Sequence, residues 1–164
     1  MAKSAKPCKG ATRMSQSLVN NVVHLLLSTK DRRQLLRDME RGQLHAYITG
    51  ILKNYRSPLM EINSVGDHVH ILYAQSKNHA LAKILEQVKS SSSAWLKEQH
   101  PAYSDFAWQA GYGAFSVSHS HVEKVRLYIQ SQPEHHRKEE DFQTEFRRFC
   151  KKNGMPVDER YVWD

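Results

Sequence analysis

Two neighbouring features most constrain the fold: a β-forming run, His68–Tyr73, and the tight-turn dipeptide Gly66-Asp67 that precedes it. The segment before this turn, residues 57–65, also has apolar or alternating character, so the two segments predict a β-hairpin. Side chains two positions apart in a strand point to the same face of the sheet. One face of the second strand is therefore predicted to be apolar and to pack, while the other presents His68 and His70 side by side.

The remaining elements follow from the spacing of apolar residues. They are a strand over Leu18–Leu27, a helix over Gln34–Lys53, a helix over His79–Gln99, a strand over Phe106–Ser118, a helix from Val122, and a helix over Asp141–Lys152. This order predicts an antiparallel sheet with helices on one face and a tyrosine-bearing helix in the C-terminal region. The fold class is α+β, either ferredoxin-like or RNA-recognition-like.

The length and charge of the chain favour one domain with a polyanionic partner. A chain of 164 residues is long enough for one closed core. Residues 1–15 are basic and lack apolar periodicity, which predicts a flexible arm ahead of a single domain over residues 16–164. The chain carries 24 Lys and Arg against 17 Asp and Glu, a net charge of +7. Among the basic residues, those predicted to contact phosphates are Lys30, Arg32, Arg33, Lys53 and Arg56.

Cysteine spacing and hydropathy predict a reduced protein of the cytoplasm with no membrane partner. Cys8 and Cys150 lie far apart, so the sequence suggests neither a zinc knuckle nor a redox pair. The longest apolar run, Val22–Leu27, is interrupted by His24 and is too short to span a bilayer. The first fifteen residues lack the apolar segment of a signal peptide.

The paired histidines have the geometry of a metal half-site. Neutral imidazole binds several divalent cations, and two imidazoles on one strand face can share one ion. A histidine pair of this spacing is, taken alone, more often a structural pair than a metal site. His119 and His121 have the same spacing but straddle a predicted helix start, where side chains two apart diverge by about 200°. Neither they nor the adjacent pair His135-His136 receives a role.

A phenol and an amide follow in the helix predicted from Val122. Tyr128 and Gln132 are four positions apart, so one helix face would carry both side chains. Ser120 and Glu123 have the spacing of a capping box at the start of this helix, and Pro133 should end or restart it. A phenol has a pKa near 10 and gains nucleophilicity from a metal that polarises its target. Together with the histidines, these residues suggest metal-assisted attack on a phosphodiester.

Several separated motifs, taken in order, resemble one known family. They are Asn21-Val22-Val23-His24-Leu25 through Thr29-Lys30, His68-Val69-His70, the run from Trp108 to Ser118, Tyr128-Ile129 followed by Gln132, and His135-His136. The chain resembles the single-tyrosine transposases of bacterial insertion sequences, the IS200-like members of the HUH endonuclease superfamily. The resemblance covers nearly the whole body of the chain.

This resemblance implies a reaction and its participants. It implies a divalent metal, Mg²⁺ or Mn²⁺, held by His68 and His70 with Gln132 as third ligand. Tyr128 would be the nucleophile on single-stranded DNA with hairpin ends, and would form a 5′-phosphotyrosine intermediate. The family forms homodimers in which the tyrosine helix of one subunit completes the metal site of its partner.

Two other functions remain open from the sequence. A domesticated, repeat-associated relative could bind folded DNA or RNA as a regulator without strand transfer. A metal-dependent hydrolase could instead use bound water, in which case Tyr128 would be dispensable. The three functions differ in whether DNA is cut and whether it becomes attached to the protein.

Overall fold

The computed structural model describes residues 17–136, 141–160 and 162–163. The strands are β1 (Val22–Ser28), β2 (Leu59–Ser64), β3 (His68–Ala74) and β4 (Gly113–Val117). The helices are α1 (Asp38–Asn54), α2 (Leu81–Gln99), α3 (Val122–Gln130), α4 (Gln132–His136) and α5 (Phe142–Lys152). The strands pair antiparallel in the order β2-β3-β1-β4. This order confirms the predicted α+β fold of the ferredoxin-like type.

One face of the sheet packs against α1 and α2. The side chains of Val69, Ile71 and Tyr73 on β3 join this core and are fully buried. Helix residues from the same cluster lie against them: Leu44, Ile48, Leu52, Ile84, Leu85 and Val88. Burial of such side chains contributes about 1.5–3 kcal/mol each to folding, so this layer carries most of the stabilisation.

The opposite face carries the paired histidines and is covered by C-terminal elements. α3 packs on it through Ile129, which contacts Val22 and Leu72. α5 packs on Leu26 and Phe115. Because both faces are covered, every residue of β1 is buried.

The first strand and first helix begin later than the apolar spacing predicted. β1 starts at Val22, whose partner is the last residue of β3, Ala74, and one further backbone hydrogen bond, from Gln75 N–H to Asn21 O at 2.7 Å, ends this pairing. Leu18 is accordingly 82% exposed. α1 starts at Asp38 rather than Gln34, because the backbone N–H of Leu36 donates to Gly66 O at 2.8 Å instead of continuing a helix. The strand predicted over Phe106–Ser118 is confined to β4.

The helix that carries Tyr128 ends and restarts at Pro133, as predicted, so Tyr128 and Gln132 lie on two helices. α3 ends at Gln130 and α4 begins at Gln132, because Pro133 has no N–H to donate to the preceding turn. Asn63 Nδ2 donates to the carbonyls of Ile129 and Gln130 at 3.0 and 3.1 Å and so satisfies this break.

The predicted capping box was wrong. Ser120 lies in a 3-10 turn, His119–His121, and its hydroxyl contacts Ser118 and His121 rather than an α3 amide.

Some expectations lie outside the described residues, including the basic arm over residues 1–15 and Cys8 within it. Among the helices that the structure describes, none combines the length and apolar character needed to cross a bilayer.

The substitution Leu27→Ala tests whether β1 is an interior strand of the sheet, covered by α1 and α2. Leu27 is fully buried between β1 and the α1–α2 layer, so the substitution should lower the free energy of unfolding by about 2–5 kcal/mol. Leu18→Ala is the matched control, and because Leu18 is exposed it should change stability by less than about 0.5 kcal/mol. Urea denaturation of both variants measures the difference. Equal losses would contradict the placement of β1.

Candidate metal and tyrosine site

His68 and His70 of β3 are each held by a second polar side chain. His68 Nδ1 lies 2.6 Å from Asp67 Oδ1, and His70 Nδ1 lies 2.9 Å from His24 Nε2 on β1. A proton on each Nδ1 satisfies both contacts and leaves both Nε2 atoms to face one common space. Outer contacts of this kind orient histidines that bind metals.

Burial and neighbouring charge set the protonation of these rings. Burial lowers the pKa of His24 well below its usual value, and the adjacent His70 lowers it further, so His24 is neutral. For His68, burial also opposes protonation, but hydrogen bonds to Asp67 and Glu145 outweigh it and raise the pKa to about 8. Because these hydrogen bonds favour the protonated ring, a cation that binds at His68 Nε2 has to displace a proton.

Glu145 of α5 places a carboxylate in the space that the two imidazoles share. Its Oε1 lies 3.3 Å from His70 Nε2 and its Oε2 lies 3.4 Å from His68 Nε2. The side chain is only 1% exposed. One ligand atom from each of the three residues lies within 4.8 Å of the others, a spacing that can hold a metal ion.

Tyr128 and Gln132 reach the same carboxylate despite the break between α3 and α4. The Tyr128 hydroxyl donates to Glu145 Oε1, and Gln132 Nε2 donates to the same oxygen at 3.0 Å. Arg148 Nη2 donates to the Tyr128 hydroxyl at 2.9 Å. Burial, and then the negative charge of Glu145, raise the pKa of Tyr128, so the phenol is protonated in this arrangement.

The donor set fits a divalent cation. Gln132 is fully buried, and within the described part of the chain its Oε1 has no hydrogen-bond partner. A buried carbonyl oxygen left in this way costs about 1–3 kcal/mol, and a turn of the amide would exchange Nε2 for Oε1 and present that oxygen to a cation beside the imidazoles. Imidazole nitrogens with carboxylate and amide oxygens are a ligand set that Mn²⁺ accepts, and the oxygens also suit Mg²⁺.

The structure thus brings the four predicted side chains together within one chain, because His68, His70, Tyr128 and Gln132 all adjoin Glu145, which the sequence did not predict. The Tyr128 ring centroid lies 5.9 Å from that of His70. His119 and His121 are exposed in their 3-10 turn and do not contribute. The backbone of His135 and His136 lies in α4.

The predicted phosphate-contacting residues fall into two groups. Lys30, Arg32 and Arg33 follow β1, at the end where Ser28 pairs with His68. A cavity of about 290 Å³ adjoins this end and is lined in part by Arg32 and Phe142. Lys53 and Arg56 are exposed near the far end of β3, since the N–H of Ala74 donates to Pro58 O at 3.0 Å. Only the first group lies at the histidine end of the sheet.

Comparison with known proteins identifies the family. The family model described as "Transposase IS200 like" matches residues 17–132, which is most of the chain. The chain belongs to this IS200-like transposase family. The sequence matches none of the curated proteins.

Two solved structures share the fold of this IS200-like family member. One is described as a "putative transposase" from Deinococcus radiodurans R1, with 22% identity and a TM-score of 0.55, covering 74% of this chain and 98% of the other. The second is a REP-associated tyrosine transposase bound to a REP hairpin, with 11% identity and a TM-score of 0.57, covering 76% of this chain and 74% of the other. At these identities the likeness establishes the fold.

Sequence reasoning missed Glu145, Arg148, His24 and Asp67. The first two lie on α5, beyond the family match and beyond His135-His136, the last motif of the resemblance, so neither gave a signal for them. His24 could have been found, because its even position on β1 places it on the same sheet face as Leu26 and Ser28. Asp67 directly precedes His68, but its place in the Gly66-Asp67 turn already explained an aspartate at this position, so no contact with the imidazole was predicted.

Proposed function

We propose that the protein cuts and rejoins single-stranded DNA through attack by Tyr128 on a phosphodiester. The observation that carries this proposal is the position of the Tyr128 hydroxyl in the same buried space as His68 Nε2 and His70 Nε2. An apolar side chain would fill this space without a hydroxyl to satisfy, so a phenol beside the two imidazoles supports a chemical role in addition to its contacts with α5.

The residues suited to hold a divalent metal, Mg²⁺ or Mn²⁺, are His68, His70 and Gln132, with Glu145 in reach when DNA is absent. When bound, such a metal polarises a phosphate oxygen and stabilises the charge that develops on it. Asp67 and His24 keep the two imidazoles in the orientation that ligation requires.

In the proposed reaction, one bond to phosphorus forms as another bond to phosphorus breaks. Tyr128 Oη would form a bond to phosphorus, and the bond from phosphorus to the 3′ oxygen would break. The phenol loses its proton to solvent, and the departing oxygen takes up a proton and leaves as a 3′ hydroxyl. Because one phosphodiester replaces another, the 5′-phosphotyrosine can be attacked in turn by a 3′ hydroxyl, and rejoining needs no nucleotide cofactor.

The proposed partner is single-stranded DNA with a hairpin. The net charge of +7 supports a polyanionic partner, and a solved structure with this fold is bound to a REP hairpin. Lys30, Arg32 and Arg33 lie at the histidine end of the sheet and are proposed to contact phosphates there, while Lys53 and Arg56 would contact DNA further away. The activity requires access to cellular DNA, so the proposed location is the cytoplasm.

We also propose a homodimer. One tyrosine can hold one cleaved end, whereas excision of a DNA segment requires two cuts, so two copies of the chain must cooperate. Within a single chain Tyr128 already adjoins His68 and His70, so the dimer need only bring two sites together. The exchange of tyrosine helices that the family resemblance implies remains a prediction.

One experiment separates this function from its rivals. The protein is incubated with end-labelled single-stranded oligonucleotides that carry a hairpin, with Mg²⁺ or Mn²⁺, and the products are separated on a denaturing gel. A labelled species that migrates with the protein is the expected result. Cleavage without attachment would indicate a hydrolase, and hairpin binding without cleavage under either metal would indicate a DNA-binding regulator.

A further inference from the structure

The site as described is closed to DNA. His68, His70 and Gln132 are fully buried, and Glu145 is 1% exposed. A DNA strand brings a hydrated, charged backbone that cannot reach buried side chains through packed protein. If Tyr128 attacks a phosphodiester, the element that covers this face must therefore move.

That covering element is α5. Phe142 packs on the His68 ring at a centroid distance of 4.9 Å, and Phe149 packs on His24 at 5.0 Å and on Tyr128 at 5.6 Å. Phe146 lies so close to β4 that a Cβ on Gly113 would meet its ring at 2.8 Å. Glu145 thus lies among three aromatic side chains that seat one helix face on the sheet.

The contacts of Glu145 are those that a scissile phosphate would need. A phosphodiester beside the nucleophile must place anionic oxygens near the two imidazoles, near Gln132 and next to the Tyr128 hydroxyl. The two carboxylate oxygens of Glu145 already make these contacts. Two anions cannot share this space, because their charges repel each other strongly where water is excluded.

α5 also carries exposed basic side chains that could contact DNA, including Arg148, which donates to the Tyr128 hydroxyl while α5 is in place. Arg147, Arg148, Lys151 and Lys152 are exposed and basic, so a displaced α5 would carry positive charge alongside DNA. The α5 segment also follows the part of the chain that matches the family model, so the matched residues contain the histidines, tyrosine and glutamine without this cover.

We infer that α5 is a removable cover, and that Glu145 holds the place of the scissile phosphate until DNA displaces it. This inference rests on the proposed function. It makes Glu145 a placeholder rather than a required metal ligand: its loss should weaken metal binding in the absence of DNA and strengthen the binding of DNA.

DNA binding in the presence of EDTA tests the cover apart from the chemistry. Fluorescence anisotropy with a labelled hairpin oligonucleotide measures affinity for the full-length wild type, Glu145→Ala and Phe146→Ala. Glu145→Ala should bind DNA about 10-fold more tightly, equivalent to about 1.4 kcal/mol. Phe146→Ala, which loosens α5 without changing its charge, should bind more tightly by a smaller factor. Should Glu145→Ala fail to fold, Glu145→Gln keeps the shape and removes the charge.

The matched control is Glu86→Ala, which removes an exposed carboxylate on α2, on the opposite side of the sheet. It should leave DNA affinity within about 2-fold of wild type, because exposed single charges act weakly through salt. If Glu86→Ala raised DNA affinity as much as Glu145→Ala, the change in net charge alone would explain the effect. That result would overturn the inference.

A second readout follows α5 itself. Addition of hairpin DNA to the wild type should speed hydrogen exchange of the α5 amides, because the helix leaves the sheet. Unchanged α5 exchange with DNA bound, or unchanged or weaker DNA binding by either folded α5 variant, would overturn the inference. Tighter binding by the variants without a covalent adduct in any of them, with Mn²⁺ present, would support the cover and refute the tyrosine chemistry.

Discussion

Tyr128→Phe should abolish the covalent protein–DNA adduct. The substitution removes only the hydroxyl oxygen, the atom proposed to form the bond to phosphorus, so adduct formation should fall by at least about 10³-fold. DNA affinity should be equal or higher, because the lost contact from Tyr128 to Glu145 helps to keep α5 in place. A denaturing gel measures the adduct, and anisotropy measures the binding.

Tyr47→Phe is the control for this substitution. Tyr47 stacks on Trp95 in the α1–α2 layer, away from the histidines, so loss of its hydroxyl should leave the adduct unchanged. Cleavage that survives Tyr128→Phe at the wild-type rate would favour a water-activating hydrolase and contradict the proposed nucleophile.

His68→Ala and His70→Ala should each remove both metal binding and the adduct. Each imidazole supplies one of two nitrogens aimed at the shared space, so loss of either should weaken Mn²⁺ binding by at least about 100-fold, beyond the effect of losing an outer contact. Titration calorimetry measures Mn²⁺ affinity, and the adduct should fall to background in the same variants. Circular dichroism verifies the fold, because both side chains are buried.

His121→Ala is the matched control for the histidine variants. His121 belongs to a second pair with the same sequence spacing, but it is exposed in a 3-10 turn and contacts only Ser118 and Ser120 among hydrogen-bond partners in the described chain. Mn²⁺ affinity and adduct yield should match the wild type. Retention of Mn²⁺ affinity by both His68→Ala and His70→Ala would place the metal elsewhere.

The fold could be predicted because its determinants are local. The Gly66-Asp67 turn and the two-residue alternation in β3 specify a hairpin whose faces differ, and helical spacing supplies the covering layer. The ends of helices and strands were less predictable where a backbone group forms a hydrogen bond with a residue distant in the sequence. Leu36 has helical spacing with later residues, yet its N–H pairs with Gly66 across the structure.

The site residues could be predicted where they lie close together in the sequence. His68 and His70 share a strand face, and Tyr128 and Gln132 converge even though Pro133 breaks their helix. Glu145 could not be predicted in this way, because its role arises from the packing of α5 on the sheet. In the sequence, Glu145 is one acidic residue of an amphipathic helix, and acidic side chains of such helices are usually exposed.

The position of the label in the covalent product tests the central claim most directly. Oligonucleotides labelled at either the 5′ or the 3′ end are cut in the presence of Mn²⁺, and the protein is then digested and its peptides mapped. Attack by Tyr128 predicts that only the 3′-labelled fragment stays attached, through a 5′ phosphate on the peptide containing Tyr128, while the 5′-labelled fragment leaves with a 3′ hydroxyl. Attachment of the 5′-labelled fragment, or of either fragment to another residue, would contradict the account.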